Sequence, residues 1–310
     1  MPKFYLLYAL TLVFGILFSC QSPKKQPVEN PSSYLPTAHK TTDSFELYLP
    51  SGHQAATLIL FPGLPETPER VKTEFKIISP ALQKGIAVVI MKFNRRLWLD
   101  DKEKFYLTKT INQLFEEHPI NNEQLFIGGF SSGGNISLLL ANHLKKAQNI
   151  IQPKGVFIID SPVDLLALYE ISQRNIERNF SKGSVQESKG TISRFDTSLG
   201  KPANGIERYE KYAPYTHKTK SINNLSKLEN VKIRLYTEPD IEWWTTNRQN
   251  EYEDMNAYFI KQLADELTQK YGNLVEYMPT ENRGYRANGQ RHPHAWAIVE
   301  INDLLKWILE

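Results

Sequence analysis

From Phe45 onward, short apolar runs alternate with helix-period segments, and that rhythm leaves few folds open. Ala56–Phe61 (ATLILF) and Ile86–Met91 (IAVVIM) are apolar at nearly every residue rather than every second one, which is the pattern of strands buried on both faces. Further strands are expected over 125–129, 155–160, 231–237 and 274–278. Helices are expected over 71–84, kinked near Pro80 and capped by Gly85, and around Leu107, Ile111, Leu114 and Phe115, ending before Pro119. Others follow over 136–146, over 255–271 with Gly272 as cap, and in a last helix carrying Ile298, Ile301, Leu305 and Ile308. The class is therefore α/β, with a mostly parallel central sheet covered by helices on both faces. Residues 162–230 interrupt the rhythm with a polar, lysine-rich stretch containing one helix near 165–180, and an insertion of this length predicts a lid over a pocket.

The amino terminus follows other rules. Lys3 precedes an almost unbroken apolar run over 4–18, the length of a signal-peptide core and short of the roughly 20 residues that span a bilayer. The run closes on Leu17-Phe18-Ser19-Cys20, which resembles the lipobox of bacterial lipoproteins. That resemblance implies a signal peptide at 1–19, lipidation of Cys20, and a protein held by its lipid on a membrane of the bacterial cell envelope, on the periplasmic or surface side. An uncleaved membrane anchor with an incidental cysteine is the alternative. Cys20 is the chain's single cysteine, so no disulfide can form within the chain. Pro, Ser, Lys and Thr dominate up to Ser44, so 20–44 reads as a flexible tether and 45–310 as the folded domain. The net charge of +3 is spread without a dense basic run, which argues against a nucleic-acid partner.

Gly128-Gly129-Phe130-Ser131-Ser132-Gly133-Gly134-Asn135 contains G-x-S-x-G centred on Ser131, between an expected strand and an expected helix. A serine on so tight a turn raises its hydroxyl above the sheet, and glycines two residues either side let the backbones pass closely. Ser132 fits the nucleophile position less well, because Phe130 would then stand where the first glycine is needed. Together with its flanking strand and leucine-rich helix, this segment resembles the α/β-hydrolase family, in particular its esterase and peptidase-like branches.

The resemblance implies a serine hydrolase acting on an ester or related acyl bond of a small or polymer-linked substrate, with no metal or organic cofactor. It implies an oxyanion hole from the amides of Ser132 and of Leu64, in the loop Phe61-Pro62-Gly63-Leu64-Pro65-Glu66. It also implies the chain order Ser, acid, His. Asp240, just past a strand in Tyr236-Thr237-Glu238-Pro239-Asp240, is the favoured acid; Glu238 is the near rival, and Asp160 or Asp164 the more distant ones. Arg291-His292-Pro293-His294 precedes the last helix, and His294 at the helix entrance is favoured over His292 as base. Trp243 and Trp244, past the proposed acid, are expected to add an aromatic wall. A non-catalytic envelope lipoprotein of the same fold and an acyltransferase are the competing readings. If Cys20 carries the lipid, Cys20→Ala is expected to move the protein from the membrane fraction to the soluble fraction of fractionated cells; retention of the variant in the membrane would refute lipid anchoring.

Overall fold

The computed structural model of the protein describes residues 38–147 and 151–310; the lipobox and Cys20 lie outside them. In chain order the elements are β1 (Ala38–Thr41), β2 (Phe45–Leu49), β3 (Ala56–Phe61), α1 (Pro68–Glu74), α2 (Ile78–Gln83), β4 (Ile86–Met91), α3 (Asp101–Glu117), β5 (Leu125–Phe130) and α4 (Ser132–Lys146). There follow β6 (Pro153–Ile159), α5 (Leu165–Arg178), α6 (Lys182–Ser198), α7 (Glu207–Tyr212), β7 (Lys232–Thr237), α8 (Ile241–Arg248), α9 (Asn256–Tyr271), β8 (Val275–Pro279) and α10 (Ile301–Leu309). The eight strands form one sheet in the order β1-β2-β4-β3-β5-β6-β7-β8. β1 and β2 enter antiparallel, and every pairing from β4 to β8 is parallel.

Every residue of β3, β4 and β5 is buried, as the unbroken apolar runs require. Alternate side chains serve opposite faces. Ile59, Phe61, Val89 and Ile127 join Leu107, Ile111, Leu139 and Leu140 beneath α3 and α4. Leu58, Leu60, Val88 and Ile90 instead meet Val71, Ala81, Leu304 and Leu305 of α1, α2 and α10. Beyond β6, Ile158, Ile233 and Leu235 pack on Ile260, Leu263 and Leu267 of α9. At α3 the local signal is complete: Asp100 accepts from the Glu103 amide at 2.8 Å while the Glu103 carboxylate accepts from the Asp100 amide at 2.9 Å, and the helix stops before Pro119.

Several expectations shift in register or extent. β1 lies inside the stretch read as tether, because a polar edge strand that only pairs with β2 shows no apolar run. The helix expected over 71–84 divides at Phe75–Ile77 rather than at Pro80, which sits in the first turn of α2, where its missing amide proton is not needed. The 162–230 stretch holds three helices, not one: α6 and α7 were hidden by their polar composition and become helical by packing Phe195 and Tyr209 against Trp98 and Tyr169. Ile298 lies in a 3-10 turn ahead of α10, so His294 stands seven residues before that helix and not at its entrance.

Asn135, fully buried on α4, ties two loops to the sheet edge by donating to the carbonyls of Leu97 at 3.1 Å and Pro162 at 2.8 Å. Asn135→Ala leaves both carbonyls without that donor and is expected to cost about 2 kcal/mol. Urea unfolding should show it as a lowered midpoint with an unchanged m-value.

Candidate active site

Because β3, β5, β6, β7 and β8 are parallel, the residues that follow them gather along one edge of the sheet, where ligands of open α/β sheets bind. Ser131 follows β5 directly, with φ 53° and ψ −127°, a backbone conformation that a residue with a Cβ rarely adopts and that stores about 1–3 kcal/mol of strain. The turn is held from both sides: the Ser131 amide donates to the Ile159 carbonyl at 2.8 Å, and the Ser131 carbonyl accepts from the Gly134 amide at 3.0 Å. The glycine spacing has the expected cause. A Cβ on Gly129 would stand 2.3 Å from the Gly133 backbone, and one on Gly133 would stand 2.2 Å from the Phe61 carbonyl oxygen.

His294 is brought to this edge. Its Nδ1 lies 2.6 Å from Asp160 Oδ2, and its ring packs 4.4 Å from that of Phe130, the residue before Ser131. A carboxylate can only accept, so Nδ1 carries the proton and Nε2 is left as the basic lone pair. Asp160 is buried and firmly placed: Oδ1 accepts from Thr237 Oγ1 at 2.8 Å, its amide donates to the Tyr236 carbonyl at 2.8 Å, and its carbonyl accepts from Asn256 Nδ2 at 2.9 Å. Ser131 Oγ makes no hydrogen bond to the described residues, so the link from hydroxyl to imidazole is left open here.

These contacts leave Asp240, the expected acid, apart from His294. Asp240 caps α8, accepting from the Trp243 amide at 3.0 Å, and pairs with Arg291 instead of His294. Glu238 is almost fully buried and is used up by Arg291, Thr280 Oγ1 and the amides of Arg283 and Gly284. Asp164 caps α5 and bonds His217 Nδ1 at 2.7 Å, away from His294. Asp160 ends the GVFIID strand, one residue beyond β6, and only the strand it followed marked it out in the sequence.

Leu64 and Ser132 do meet, but the Leu64 amide donates to Ser132 Oγ at 2.9 Å and so already has an acceptor. The Ser132 amide is the first of α4 and has no acceptor within its own helix. Glu66 braces this loop, accepting from the Gly63 amide at 3.2 Å and from Trp296 Nε1 at 3.0 Å.

Comparison with protein-family profiles gives no match, and neither does comparison by sequence with curated proteins. Solved structures do match. An esterase of the bacterial hormone-sensitive lipase family superposes with TM-score 0.56 at 12% identity, over 86% of this chain and 81% of that one. The chain has the α/β-hydrolase fold. A fungal esterase from Rhizomucor miehei gives TM-score 0.54 at 16% identity, covering 87% of this chain and 82% of its own. An esterase/lipase from an uncultured bacterium gives 0.54 at 12% identity, over 88% and 84%. The Ser131 turn joins β5 to α4, and Asp160 occupies the edge one strand further on.

His292 sits beside His294 with a different environment. Its ring packs 4.7 Å from Trp243 and 6.1 Å from Trp244, and its Nδ1 is buried without a hydrogen-bond partner. Burial pushes its pKa down to about 3, helped by the charges of His294, Arg286 and Arg248. The imidazole is therefore neutral at physiological pH. Because the folded state refuses a proton that the unfolded chain accepts near pH 6.5, His292 costs stability progressively as pH falls from about 6.5 toward 3. His292→Phe is expected to flatten the fall in melting temperature between pH 7 and pH 4; an unchanged acid limb would refute this account of its environment.

Proposed function

We propose that this chain is a serine hydrolase that cleaves carboxylic esters through an acyl-enzyme on Ser131. The observation that carries the reading is the 2.6 Å bond between His294 Nδ1 and the buried Asp160 carboxylate, at the sheet edge where the backbone of Ser131 is strained into an elbow. Buried carboxylate, oriented imidazole and raised hydroxyl are the parts nucleophilic acyl transfer needs.

In this reading Nε2 of His294 takes the Ser131 proton as the hydroxyl oxygen attacks the ester carbonyl. Asp160 fixes the tautomer and stabilises the imidazolium that forms. Negative charge on the carbonyl oxygen is met by the amides of Ser132 and Leu64, each such donor being worth about 3 kcal/mol in systems where it has been removed. The Ser132 side chain must rotate so that the Leu64 amide is released from Ser132 Oγ. Collapse of the tetrahedral adduct passes the proton from His294 to the departing alcohol. Water, activated in turn by His294, then attacks the acyl-enzyme, releases the acid and restores Ser131. The solved neighbours named above are esterases, which supports the choice of ester over other acyl substrates. The 162–230 insertion leaves the sheet beside Asp160 and serves in this reading as the lid, and lipidation at Cys20 would hold the enzyme at an envelope membrane.

A fluorophosphonate probe is expected to label the full-length protein on Ser131 and to fail on Ser131→Ala. On p-nitrophenyl acetate, His294→Ala and Asp160→Asn are expected to lower kcat by about 10³–10⁴-fold, and Asp240→Asn by less than tenfold. Probe labelling of Ser131→Ala would overturn the nucleophile, and a larger loss from Asp240→Asn than from Asp160→Asn would return the acid role to Asp240.

A further inference from the structure

The hairpin between β8 and His294 carries a group of cations that the proposed chemistry does not use. Tyr285 pairs with Arg291 across this hairpin, the Arg286 amide donates to the Gln290 carbonyl at 2.8 Å, and the His292 amide donates to the Gly284 carbonyl at 2.8 Å. Its tip is fixed to α1 by the Ala287 amide, which donates to Glu74 Oε2 at 2.8 Å. Between the hairpin, α1, α2 and the start of α10 lies a cavity of about 540 Å³, within the range of small-molecule sites.

The charges lining that cavity are unevenly committed. Its two carboxylates are spent on the protein itself: Glu74 pairs with Arg70 at 2.6 Å as well as holding Ala287, and Glu300 caps α10 by accepting from the amides of Asn302 and Asp303. Its three cations, Lys76, Arg283 and Arg286, make no side-chain hydrogen bond or ion pair with the described residues. Lys76 and Arg283 are exposed, as unpaired cations usually are, but Arg286 is half-buried. Burial holds its guanidinium below the ordinary value, a cost that Glu74 and Glu66 offset only from a distance. A half-buried guanidinium with no carboxylate hydrogen-bonded to it keeps donors that an anion can take.

The cavity is also distinct from the elbow. A stack of aromatic rings stands between them, with Phe75 4.9 Å from Trp296, Trp296 5.2 Å from Phe130, and Phe130 4.4 Å from His294. We propose that this cavity is a second ligand site, separate from Ser131, that binds a phosphomonoester of sugar size through Arg286, Arg283 and Lys76. A phosphate dianion matches three uncommitted cations better than a single carboxylate does, and its oxygens suit the planar fork of arginine. The half-exposed ring of Tyr285, backed by Arg291 at 5.3 Å, offers the body of the ligand a flat surface.

The test is isothermal titration of the full-length protein in neutral detergent with glucose 6-phosphate, with glucose and inorganic phosphate as references. Saturable binding of glucose 6-phosphate, none of glucose, and at least tenfold weaker binding by Arg286→Ala is the expected result. Arg283→Ala, an exposed position with no structural partner, should weaken binding several-fold, and Ser131→Ala should leave it unchanged. Arg286→Ala should also melt no lower than the parent, since a desolvated, unpaired charge is removed. No saturable binding at millimolar ligand, equal affinity in both arginine variants, or loss of binding in Ser131→Ala would overturn the proposal.

Discussion

The close passage of α4's first turn beneath the end of β3 is the contact on which the rest of the edge depends. Gly133 lies so near the Phe61 and Pro62 carbonyl oxygens that no side chain fits between them, and Gly129 leaves equally little room on the other side. With both backbones at this distance, the chain can leave β5 and begin α4 within one residue. That residue is Ser131, forced into a conformation it would not choose alone. The hydrogen bond from the Ser131 amide to the Ile159 carbonyl spreads the load to β6, so the turn and Asp160 are held by neighbouring strands of one sheet. Strain of this kind persists only when such surroundings over-determine it.

Asp160, Glu238 and Asp240 stand within three residues of the ends of β6 and β7, and their neighbours separate their roles. Asp160 turns away from the sheet with a positive φ, and with Thr237 on one oxygen it presents the other to His294. Glu238 is surrounded by the amides and the arginine of the 280–291 hairpin and so organises that hairpin. Asp240 shares Arg291 with Glu238 and starts α8, a helix with no buried residue, whose Trp243 reaches back to His292. One arginine thus joins two of the acids into a scaffold and leaves the third for the histidine.

The two histidines of the R-H-P-H segment illustrate how position decides chemistry between similar groups. His292 is shut among tryptophans and cations and stays neutral, whereas His294 has a carboxylate on one nitrogen and part of its ring open to solvent. Pro293 lies between them in a bend, and the two side chains part into these separate environments.

The sequence determined the parallel core, because strands buried on both faces must be apolar at nearly every residue, and ATLILF, IAVVIM and GVFII are. It determined the elbow as well, because glycines two residues before and after Ser131 are a local steric requirement that any reader of the chain can see. The edge strand β1 and the helices α6 and α7 were not legible, since their own residues are polar and only the neighbours they pack on make them regular. The partner of His294 was decided by tertiary structure alone. Asp160, Asp164, Glu238 and Asp240 all follow strands in the chain, and spacing cannot rank them, because Asp160 and His294 are 134 residues apart in sequence. What chose Asp160 was the side-by-side pairing of β6 and β7, with Arg291 holding Glu238 and Asp240 and His217 holding Asp164, and these are distances between segments that no single segment encodes.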